Sequence, residues 1–340
     1  MINHQNILRY AWRAYDHTRS IRSIEDISAR VSTNHVFKLV MEDGNVLIAK
    51  VTYFGSFEGF AEDHTIINVL ANNLPVRYAN FLSRGLMKGN QLFFHRHIDA
   101  EQDAWIIFYR PIQIQENPPR KLTEDQVSQL GREMAYFHRD CTLVTNTLPR
   151  SDRDMTTDVT ALVTTARTDY PDHYELIEEQ CRRFLENTFR INVYGFQKIP
   201  VFVDWNIGNF SVDRNGRLAS RWDYDWFRVS TRVVDFYFLS RVVSEVGDKS
   251  AFTYEVDRLL EDRFMLFLRS YHEIFPLTRP EVLFIKEAYR FFLLNYVLRL
   301  GRYFFLPSFA EQLSRDVLTT HLPTLDEKFS VEKILHTLRL

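Results

Sequence analysis

Three oxygen-bearing side chains between residues 204 and 223 give the strongest chemical signal of the sequence, and we expect one hairpin to carry them. Asp204 precedes Asn209 by five residues, and Asp223 follows a turn predicted at Asn215-Gly216. Phosphoryl transfer needs one carboxylate that orients the attacking hydroxyl, with an amide and a second carboxylate that hold Mg²⁺. The spacing therefore favours Asp204 as the catalytic residue and Asn209 and Asp223 as magnesium ligands. Turn residues beside solvated acids are the alternative interpretation.

Asp225 completes an Asp-x-Asp sequence in the same segment. Two roles are open for it, a second metal ligand or a capping residue. Trp205, Trp222 and Trp226 lie close by in the sequence, and we expect their rings to pack the strands and wall the site.

Lys50 is a candidate phosphate ligand in the first part of the sequence. It lies near the end of the second of two strand-like runs, residues 36 to 40 and 46 to 51. Asp43-Gly44 between these runs predicts a hairpin. A lysine at this place can reach the α- and β-phosphates of a nucleotide from beneath a loop. A lysine on a solvated strand face is the alternative.

Glu62 is the predicted ion-pair partner of Lys50. It lies in residues 60 to 72, where apolar residues recur at helical spacing. Glu58 and Asp63 compete for the same role, and the spacing does not separate the three carboxylates.

Neither common type of glycine-rich phosphate loop occurs in the sequence. The turn Ser32-Thr33-Asn34-His35 precedes the first strand-like run instead. Hydroxyls and backbone amides in such a turn can contact phosphate oxygens without glycine. Ser32 and Asn34 are therefore candidate nucleotide-binding residues, and an ordinary polar turn is the alternative.

The elements that position these residues fall into two groups. Strands and one helix extend to residue 109, and helices dominate after a proline-containing linker at residues 111 to 121. The pattern predicts an α+β fold with a small β-rich lobe over residues 1 to 112 and a larger, mainly helical lobe over residues 113 to 340. The predicted strands are 36–40, 46–51, 91–98, 104–109 and 199–203, and the predicted helices are 5–15, 60–72, 123–138, 173–190, 251–273 and 281–301.

The composition excludes several classes of function. Forty-two basic and 44 acidic residues leave a net charge of −2, so no overall positive field attracts nucleic acid. The two cysteines, Cys141 and Cys181, give no disulfide framework or zinc site and are typical of a reducing compartment. No predominantly apolar stretch reaches the roughly 20 residues of a membrane span. With a polar N-terminus that lacks a signal peptide, the expected location is the cytoplasm.

The motif Val201-Phe202-Val203-Asp204-Trp205-Asn206-Ile207-Gly208-Asn209, followed by Asp223, resembles that of the aminoglycoside phosphotransferase and choline kinase-like superfamily of small-molecule kinases. The resemblance covers most of the chain, from about residue 34 to the late helices. It implies a two-lobed protein-kinase-like fold, a nucleotide cofactor, ATP or GTP, and Mg²⁺. It also implies the catalytic and metal-binding roles already given for the motif.

The resemblance further assigns roles outside the motif. Lys50 would be the phosphate-binding lysine with Glu62 as its partner, Tyr109 would begin the hinge near the adenine, and Asp235 would be the structural aspartate after the metal strand. Phe202 departs from the family, which usually has a scaffold histidine at this position. This departure supports an alternative function, a catalytically impaired nucleotide-binding or interaction protein with the same fold.

The expected acceptor is a hydroxyl group of a small metabolite or antibiotic. Only eleven residues separate Asp223 from Asp235, too few for the activation segment that docks peptides on protein kinases. Residues 151 to 179 contain eight acidic and two basic residues. An amino-bearing acceptor is favoured if this segment lines the acceptor cleft, and a solvated surface is the alternative.

Overall fold

Five antiparallel strands form the central sheet of the first 113 residues. A computed structural model describes residues 4 to 99, 103 to 247 and 253 to 340. The elements of this part are α1 (His4–Tyr15), β1 (Ile21–Asp26), β2 (His35–Met41), β3 (Val46–Thr52), α2 (Phe57–Asn73), β4 (Met87–Lys88), β5 (Gln91–Leu92), β6 (Phe94–Ile98) and β7 (Asp103–Tyr109). The sheet has the order β1-β2-β3-β7-β6, and β4 pairs with β5 in a separate hairpin.

The β2–β3 hairpin and α1 enclose the core of this sheet. The hairpin turns at Gly44, whose φ of +82° lies in the left-handed region that glycine adopts without strain. One side of α1 is apolar and buries Trp12 against Phe108 of β7. The remaining core residues include Ile7, Leu8, Ala11, Phe37, Leu39, Ala49, Val51 and Ile106. This core holds β3, the strand that carries Lys50.

Helices dominate the rest of the chain, which confirms the predicted α+β fold with its mainly helical second part. The elements are α3 (Glu124–Val144), α4 (Met155–Asp169), α5 (Tyr174–Ile191), β8 (Lys198–Val201), β9 (Phe210–Val212), β10 (Leu218–Arg221), β11 (Arg228–Thr231), α6 (Phe236–Val243), α7 (Asp262–Ile274), α8 (Arg279–Phe291), α9 (Gly301–Phe304), α10 (Pro307–Asp316), α11 (Leu322–Lys328) and α12 (Glu332–Leu338). π-Helical turns at Phe292–Arg299 and Val317–His321 continue α8 and α10.

Helix α3 supports the strand that leads to Asp204. It begins with a capping box, because the Thr123 hydroxyl accepts the Gln126 amide while the Gln126 side chain accepts the Thr123 amide. At Gly131 the helix packs closely on α7, where an added Cβ would lie 2.5 Å from the carbonyl oxygen of Phe267. The helix also contacts β8.

Four short strands between residues 198 and 231 form two antiparallel pairs rather than the single expected hairpin. β8 pairs with β11, and β9 pairs with β10 within the segment that β8 and β11 enclose. The predicted turn at Asn215-Gly216 is confirmed, with a φ of +74° at Gly216. The nested pairs β8–β11 and β9–β10 place the ends of four strands in this segment, whereas a single hairpin would place the ends of two.

The chain divides into two compact units. The N-terminal unit comprises Met1–Gln113 and Tyr303–Leu306, and the C-terminal unit comprises Ile114–Arg302 and Pro307–Leu340. The N-terminal unit is therefore discontinuous in sequence. No helix within the described residues is long and apolar enough to cross a membrane.

Three predicted elements differ from the structure. The helix predicted for residues 251 to 273 begins at Asp262, after a 3₁₀ turn at Val256–Leu260, and residues 251 and 252 lie outside the described residues. The strand predicted for residues 91 to 98 is divided into β5 and β6. The helix predicted for residues 281 to 301 becomes π-helical at Phe292.

Candidate active site

The loop between β8 and β9 brings Asp204 and Asn209 together. The Asn209 side-chain amide donates to the Asp204 carbonyl oxygen at 3.3 Å, and the Asn206 backbone amide donates to Asp204 Oδ1 at 3.3 Å. Asp223 follows β10, and the amide of Trp222 beside it donates to the Asn209 carbonyl oxygen at 3.0 Å. Asp204, Asn209 and Asp223 therefore lie at adjoining strand ends of the C-terminal unit.

Arg221 holds the backbone of all three residues. Its side chain is fully buried, and Nη2 donates to the carbonyl oxygens of Asp204 at 2.9 Å and Asp223 at 3.4 Å. Nη1 donates to the carbonyl oxygen of Asn209 at 3.4 Å. Because a guanidinium presents its donors in a rigid planar fork, one side chain sets the relative positions of three carbonyl groups. Burial lowers the pKa of Arg221, and the Asp204 carboxylate opposes this shift.

Phe202 and Trp205 enclose the Arg221 guanidinium. Its central carbon lies 4.6 Å from the ring centroid of Phe202 and 4.5 Å from that of Trp205. An aromatic face attracts a cation by about 2 kcal/mol when the pair is desolvated. Phe202 also contacts the rings of Phe137 and Phe227. The residue that departs from the histidine of the resembling family therefore supports Arg221.

Asp235 fixes the chain immediately before Asp204. Its Oδ1 accepts the amides of Phe202 at 3.0 Å and Val203 at 2.6 Å, and its Oδ2 lies 3.0 Å from Nε2 of His138. Val203 has a φ of +61°, and a β-branched residue in this conformation costs about 1–3 kcal/mol. The two hydrogen bonds to a buried carboxylate hold the strained turn that presents Asp204.

The Asp204 carboxyl group has an altered proton affinity. Burial and then the charge of Asp223 raise the pKa of Asp204 to about 6, against the opposing effects of Arg221, the Asn206 amide and Arg241. A carboxylate with this pKa is mostly ionised at neutral pH and is a stronger base than an ordinary aspartate. It can accept a hydrogen bond from a hydroxyl and then accept its proton.

The oxygen donors at this place fit a hard divalent cation. Asn209 turns its Nδ2 toward the Asp204 carbonyl group, which leaves its Oδ1 on the opposite side of the amide. The charge of Asp223 is near enough to affect Asp204, and carboxylate and amide oxygens are the ligands that Mg²⁺ prefers. In the described parts of the chain no three or more His, Cys, Asp or Glu side chains could hold a metal ion. A metal site here would combine the carboxylate of Asp223 with the amide oxygen of Asn209.

The comparisons with known proteins found matches among solved structures only. No family model matches the sequence, and no curated protein matches it. Amicoumacin kinase in complex with AMP-PNP and Ca²⁺ has a TM-score of 0.60 and 14% identity over 97% of this chain and 95% of that chain. The microcompartment-associated aminopropanol kinase has a TM-score of 0.59 and 16% identity over 98% and 99%. The GDP complex of aminoglycoside 2'-phosphotransferase-IIIa has a TM-score of 0.55 and 12% identity over 96% and 98%.

The chain has the aminoglycoside phosphotransferase-like fold. The resemblance inferred from the motif at residues 201 to 209 is thereby confirmed at the level of the fold. The residues predicted to bind the nucleotide, namely Ser32, Asn34, Lys50, Glu62 and Tyr109, all lie in the N-terminal unit.

Lys50 lies in the middle of the N-terminal sheet. It pairs with Val36 of β2 and Ile107 of β7, and only 5% of its surface is exposed. Two residues further along β3, the Thr52 hydroxyl donates to Oδ1 of the buried Asn34 at 2.5 Å. The strand that carries Lys50 is thereby joined to the predicted phosphate turn.

The acidic residues of α2 differ in burial. Asp63 is 5% exposed, as Lys50 is, whereas Glu62 is half-buried. Glu58 is exposed and lies 3.5 Å from Arg96. A buried ammonium group requires an opposite charge or hydrogen bonds. The burial pattern therefore favours Asp63 over the predicted Glu62 as the counter-ion of Lys50.

Tyr109, the predicted hinge residue, is bound to α2. Nδ1 of His64 lies 2.8 Å from the Phe60 carbonyl oxygen and must carry the proton that it donates. In the neutral ring Nε2 is then the acceptor, and it lies 2.5 Å from the Tyr109 hydroxyl. The end of β7 and helix α2 are joined by this bond.

The predicted phosphate turn is paired with residues 303 to 306. The Thr33 amide donates to the Phe304 carbonyl oxygen at 2.7 Å, and the Thr33 hydroxyl donates to that of Tyr303 at 2.8 Å. Ser32 forms a β-bridge with Phe305. The donors of Thr33 are thus used within the unit, and nucleotide contacts by Ser32 stay a prediction.

Three of the eight acidic residues between 151 and 179, namely Asp158, Asp169 and Glu179, form ion pairs with arginines. Asp158 lies 3.1 Å from Arg228 and 2.9 Å from Arg299, and Asp169 lies 2.5 Å from Arg302. These ion pairs neutralise charges that would otherwise favour an amino-bearing acceptor. That acceptor class stays a prediction.

Proposed function

We propose that the protein is a small-molecule kinase that transfers the γ-phosphate of ATP or GTP to a hydroxyl group of a metabolite or antibiotic. The observation that carries the proposal is Asp204, a carboxylate with a pKa of about 6 held beside Asp223 and Asn209. The likeness to amicoumacin kinase and aminopropanol kinase supports it. Residues 1 to 112 would bind the nucleotide, and residues 113 to 340 would supply catalysis and the acceptor site.

Asp204 would act on the attacking hydroxyl. Its carboxylate accepts the hydrogen bond of the acceptor hydroxyl and aligns the oxygen with the γ-phosphorus. As the new O–P bond forms, the bond from the γ-phosphorus to the bridging oxygen breaks, the nucleoside diphosphate leaves and Asp204 takes the hydroxyl proton. Arg221 and Asp235 hold the loop so that this carboxylate is positioned before the acceptor binds.

Asn209 and Asp223 would hold a Mg²⁺ ion. When bound, the ion neutralises the charge on the nucleotide phosphates. Both residues have their backbone carbonyl groups fixed by Arg221. Asp225 is half-buried two residues beyond Asp223, and its role as second metal ligand or cap stays open.

The nucleotide would be bound by residues of the N-terminal unit. Lys50 would contact the α- and β-phosphates, and we assign Asp63 as its counter-ion on the basis of burial. Tyr109 would lie near the adenine, with its hydroxyl fixed by His64. Ser32 and Asn34 would lie on the phosphate side.

A catalytically impaired protein with the same fold is the competing function, and Phe202 is the residue that motivates it. In the structure Phe202 lies against the Arg221 guanidinium. The position therefore still supports the catalytic loop through an aromatic ring, and we expect turnover.

The test uses wild type, Asp204→Ala and Asp172→Ala, an exposed aspartate substituted as a matched control. Each protein is incubated with ATP or GTP, MgCl₂ and a panel of amino alcohols, sugars, hydroxy acids and aminoglycosides, and phosphorylated products are quantified. We expect transfer by wild type and Asp172→Ala and a loss of about 10²–10⁴-fold in Asp204→Ala. Equal transfer by Asp204→Ala would show that the catalytic assignment is wrong.

Thermal unfolding with nucleotide separates the two functions. Magnesium-dependent stabilisation by nucleotide, without transfer to any acceptor, would favour the non-catalytic protein. Absence of both stabilisation and transfer would reject both functions.

A further inference from the structure

Tyr271 and His138 form a buried polar pair between two helices of the C-terminal unit. His138 lies on α3 and Tyr271 lies on α7, and both side chains are fully buried. The Tyr271 hydroxyl lies 2.8 Å from Nδ1 of His138, while Nε2 of the same ring lies 3.0 Å from Oδ2 of Asp235. Both ring nitrogens are therefore hydrogen-bonded, one to a hydroxyl and the other to a carboxylate.

The close packing of α3 on α7 brings the hydroxyl to the ring. The helices approach at Gly131, where an added Cβ would lie 2.5 Å from the carbonyl oxygen of Phe267. His138 follows Gly131 by about two helical turns, and Tyr271 follows Phe267 by about one turn. The Tyr271 ring is also packed edge-on against that of Phe236, with 5.1 Å between the ring centroids. The hydroxyl is thus held at its place by both helices.

The acceptors around the pair determine where its protons lie. A carboxylate accepts hydrogen bonds and donates none, so Nε2 of His138 carries the proton shared with Asp235. In the neutral ring Nδ1 is then the acceptor, and the Tyr271 hydroxyl donates to it. Burial raises the pKa of Tyr271, so the hydroxyl keeps its proton at neutral pH. A donor that faces Nδ1 stabilises this tautomer over the one that would turn a lone pair toward the carboxylate.

Asp235 links the pair to the catalytic loop. Its Oδ1 accepts the amides of Phe202 and Val203, the two residues before Asp204, and His138 adds a hydrogen bond to Oδ2. Val203 has a φ of +61°, and such a conformation persists only where the surrounding contacts fix it. Without the bond from His138, the carboxylate could rotate and the turn that presents Asp204 would be held less firmly.

We propose that Tyr271 is a positioning residue for Asp204, because its hydroxyl fixes the tautomer of His138 that donates to Asp235. The proposal rests on the kinase function assigned to Asp204. Tyr271 contacts no reacting atom in that function, so its loss would lower kcat and leave the KM values for nucleotide and acceptor nearly unchanged. A residue that served helix packing alone would change the melting temperature without this effect on kcat.

NMR of protein with ¹⁵N-labelled histidine measures the tautomer, because protonated and unprotonated ring nitrogens differ in chemical shift. The variant His138→Gln identifies the signals among those of the eleven histidines. Tyr170→Phe is the matched control, since the Tyr170 hydroxyl donates to the Leu298 carbonyl oxygen, also at 2.8 Å. We expect the neutral Nε2–H form in wild type and control, and a mixture of tautomers in Tyr271→Phe. An Nδ1–H form or an imidazolium in wild type, or an unchanged ring in Tyr271→Phe, would overturn the proposal.

Transfer kinetics test the effect on Asp204. The assay contains ATP or GTP, MgCl₂ and an acceptor that wild type phosphorylates. Tyr271→Phe should lower kcat by about tenfold, as expected for the loss of one buried hydrogen bond, with each KM changed by less than about twofold. Tyr170→Phe should match wild type. An unchanged kcat, or a loss of kcat/KM through KM alone, would overturn the proposal.

A double-mutant cycle separates this role from general packing. In His138→Gln the terminal amide can donate to Asp235 and has no tautomer to be fixed. Tyr271→Phe should therefore lower kcat by about tenfold in the wild-type background but by less than about twofold in the His138→Gln background. Equal losses in the two backgrounds would show that the hydroxyl acts independently of His138, contrary to the proposal.

Amide exchange distinguishes failure of this proposal from failure of the kinase function. If wild type transfers phosphate to no acceptor, exchange of the Phe202 and Val203 amides is compared in wild type, Tyr271→Phe and Tyr170→Phe. Exchange that is about tenfold faster in Tyr271→Phe alone, together with the change of tautomer, would keep the positioning of the loop and reject the kinase function. Unchanged exchange would overturn the positioning itself.

Discussion

Nη2 of Arg221 donates a 2.9 Å hydrogen bond to the backbone carbonyl oxygen of Asp204. The same guanidinium also bonds to the carbonyl groups of Asn209 and Asp223, so a strand residue that contacts no reacting atom sets the geometry of the site. Preorganised positions of this kind lower the reorganisation needed during reaction. In the proposed reaction Arg221 would therefore be a positioning residue.

Arg221→Met should lower the free energy of unfolding by about 2 to 4 kcal/mol, because three buried carbonyl groups lose a donor. Arg221→Lys keeps the charge, but a single ammonium cannot reproduce the planar fork, so an intermediate loss is expected. Chemical denaturation and transfer kinetics measure both effects. Arg182→Met, on the exposed side of α5, is the control, and equal stability of the two methionine variants would contradict the role of Arg221.

Asp204→Asn should be more stable than wild type at neutral pH in the absence of metal. The pKa of Asp204 is raised to about 6 in the folded protein, so between about pH 4 and pH 6 the folded state binds more protons than the unfolded state. Wild type therefore loses stability as the pH rises through this window, and the variant does not. Melting temperatures in EDTA should coincide near pH 4 and diverge up to about pH 7. A constant difference would contradict the raised pKa.

Phe202→His, which restores the histidine of the resembling family, should destabilise the protein more at pH 5 than at pH 8. The ring lies 4.6 Å from the Arg221 guanidinium, so a protonated imidazole would be repelled. Phe202→Leu removes the cation–π contact without adding a titrating group, and its effect should not change between these pH values. Melting temperatures of both variants across this range test the contact, and identical pH profiles would argue against it.

Asp63→Asn should weaken nucleotide binding far more than Glu62→Gln. Asp63 is as buried as Lys50, whereas Glu62 is half-buried, and removing one member of a buried ion pair costs about 3–5 kcal/mol. Nucleotide affinity by calorimetry and the melting temperature without nucleotide distinguish binding from folding. A larger effect of Glu62→Gln would restore the original assignment.

The sequence was sufficient for the fold class and for the spacing of Asp204, Asn209 and Asp223, because these depend on local patterns. The choice between Glu62 and Asp63 depends on which face of α2 is buried. The sequence pattern placed the start of this helix at residue 60, whereas the helix begins at Phe57. Strand β1 escaped prediction because most of its residues are polar and only Ile21 is buried. A clear apolar alternation is absent from such an edge strand.

The role of Arg221 depends on contacts between distant segments. Arg221 is a basic residue in a polar run, and nothing in that run indicates that Phe202 and Trp205 enclose it. Such residues are found by three-dimensional packing, which a one-dimensional pattern does not contain.

The pairing of residues 31 to 33 with residues 303 to 306 has a consequence for synthesis. The Leu306 amide donates to the Val31 carbonyl oxygen at 3.0 Å, beside the bonds of Thr33. The first unit therefore lacks these hydrogen bonds until residue 306 has been synthesised. A fragment that stops at residue 113 leaves these groups without their partners. Exchange of this unit between proteins of the same fold requires residues 303 to 306 to be exchanged together with residues 1 to 113.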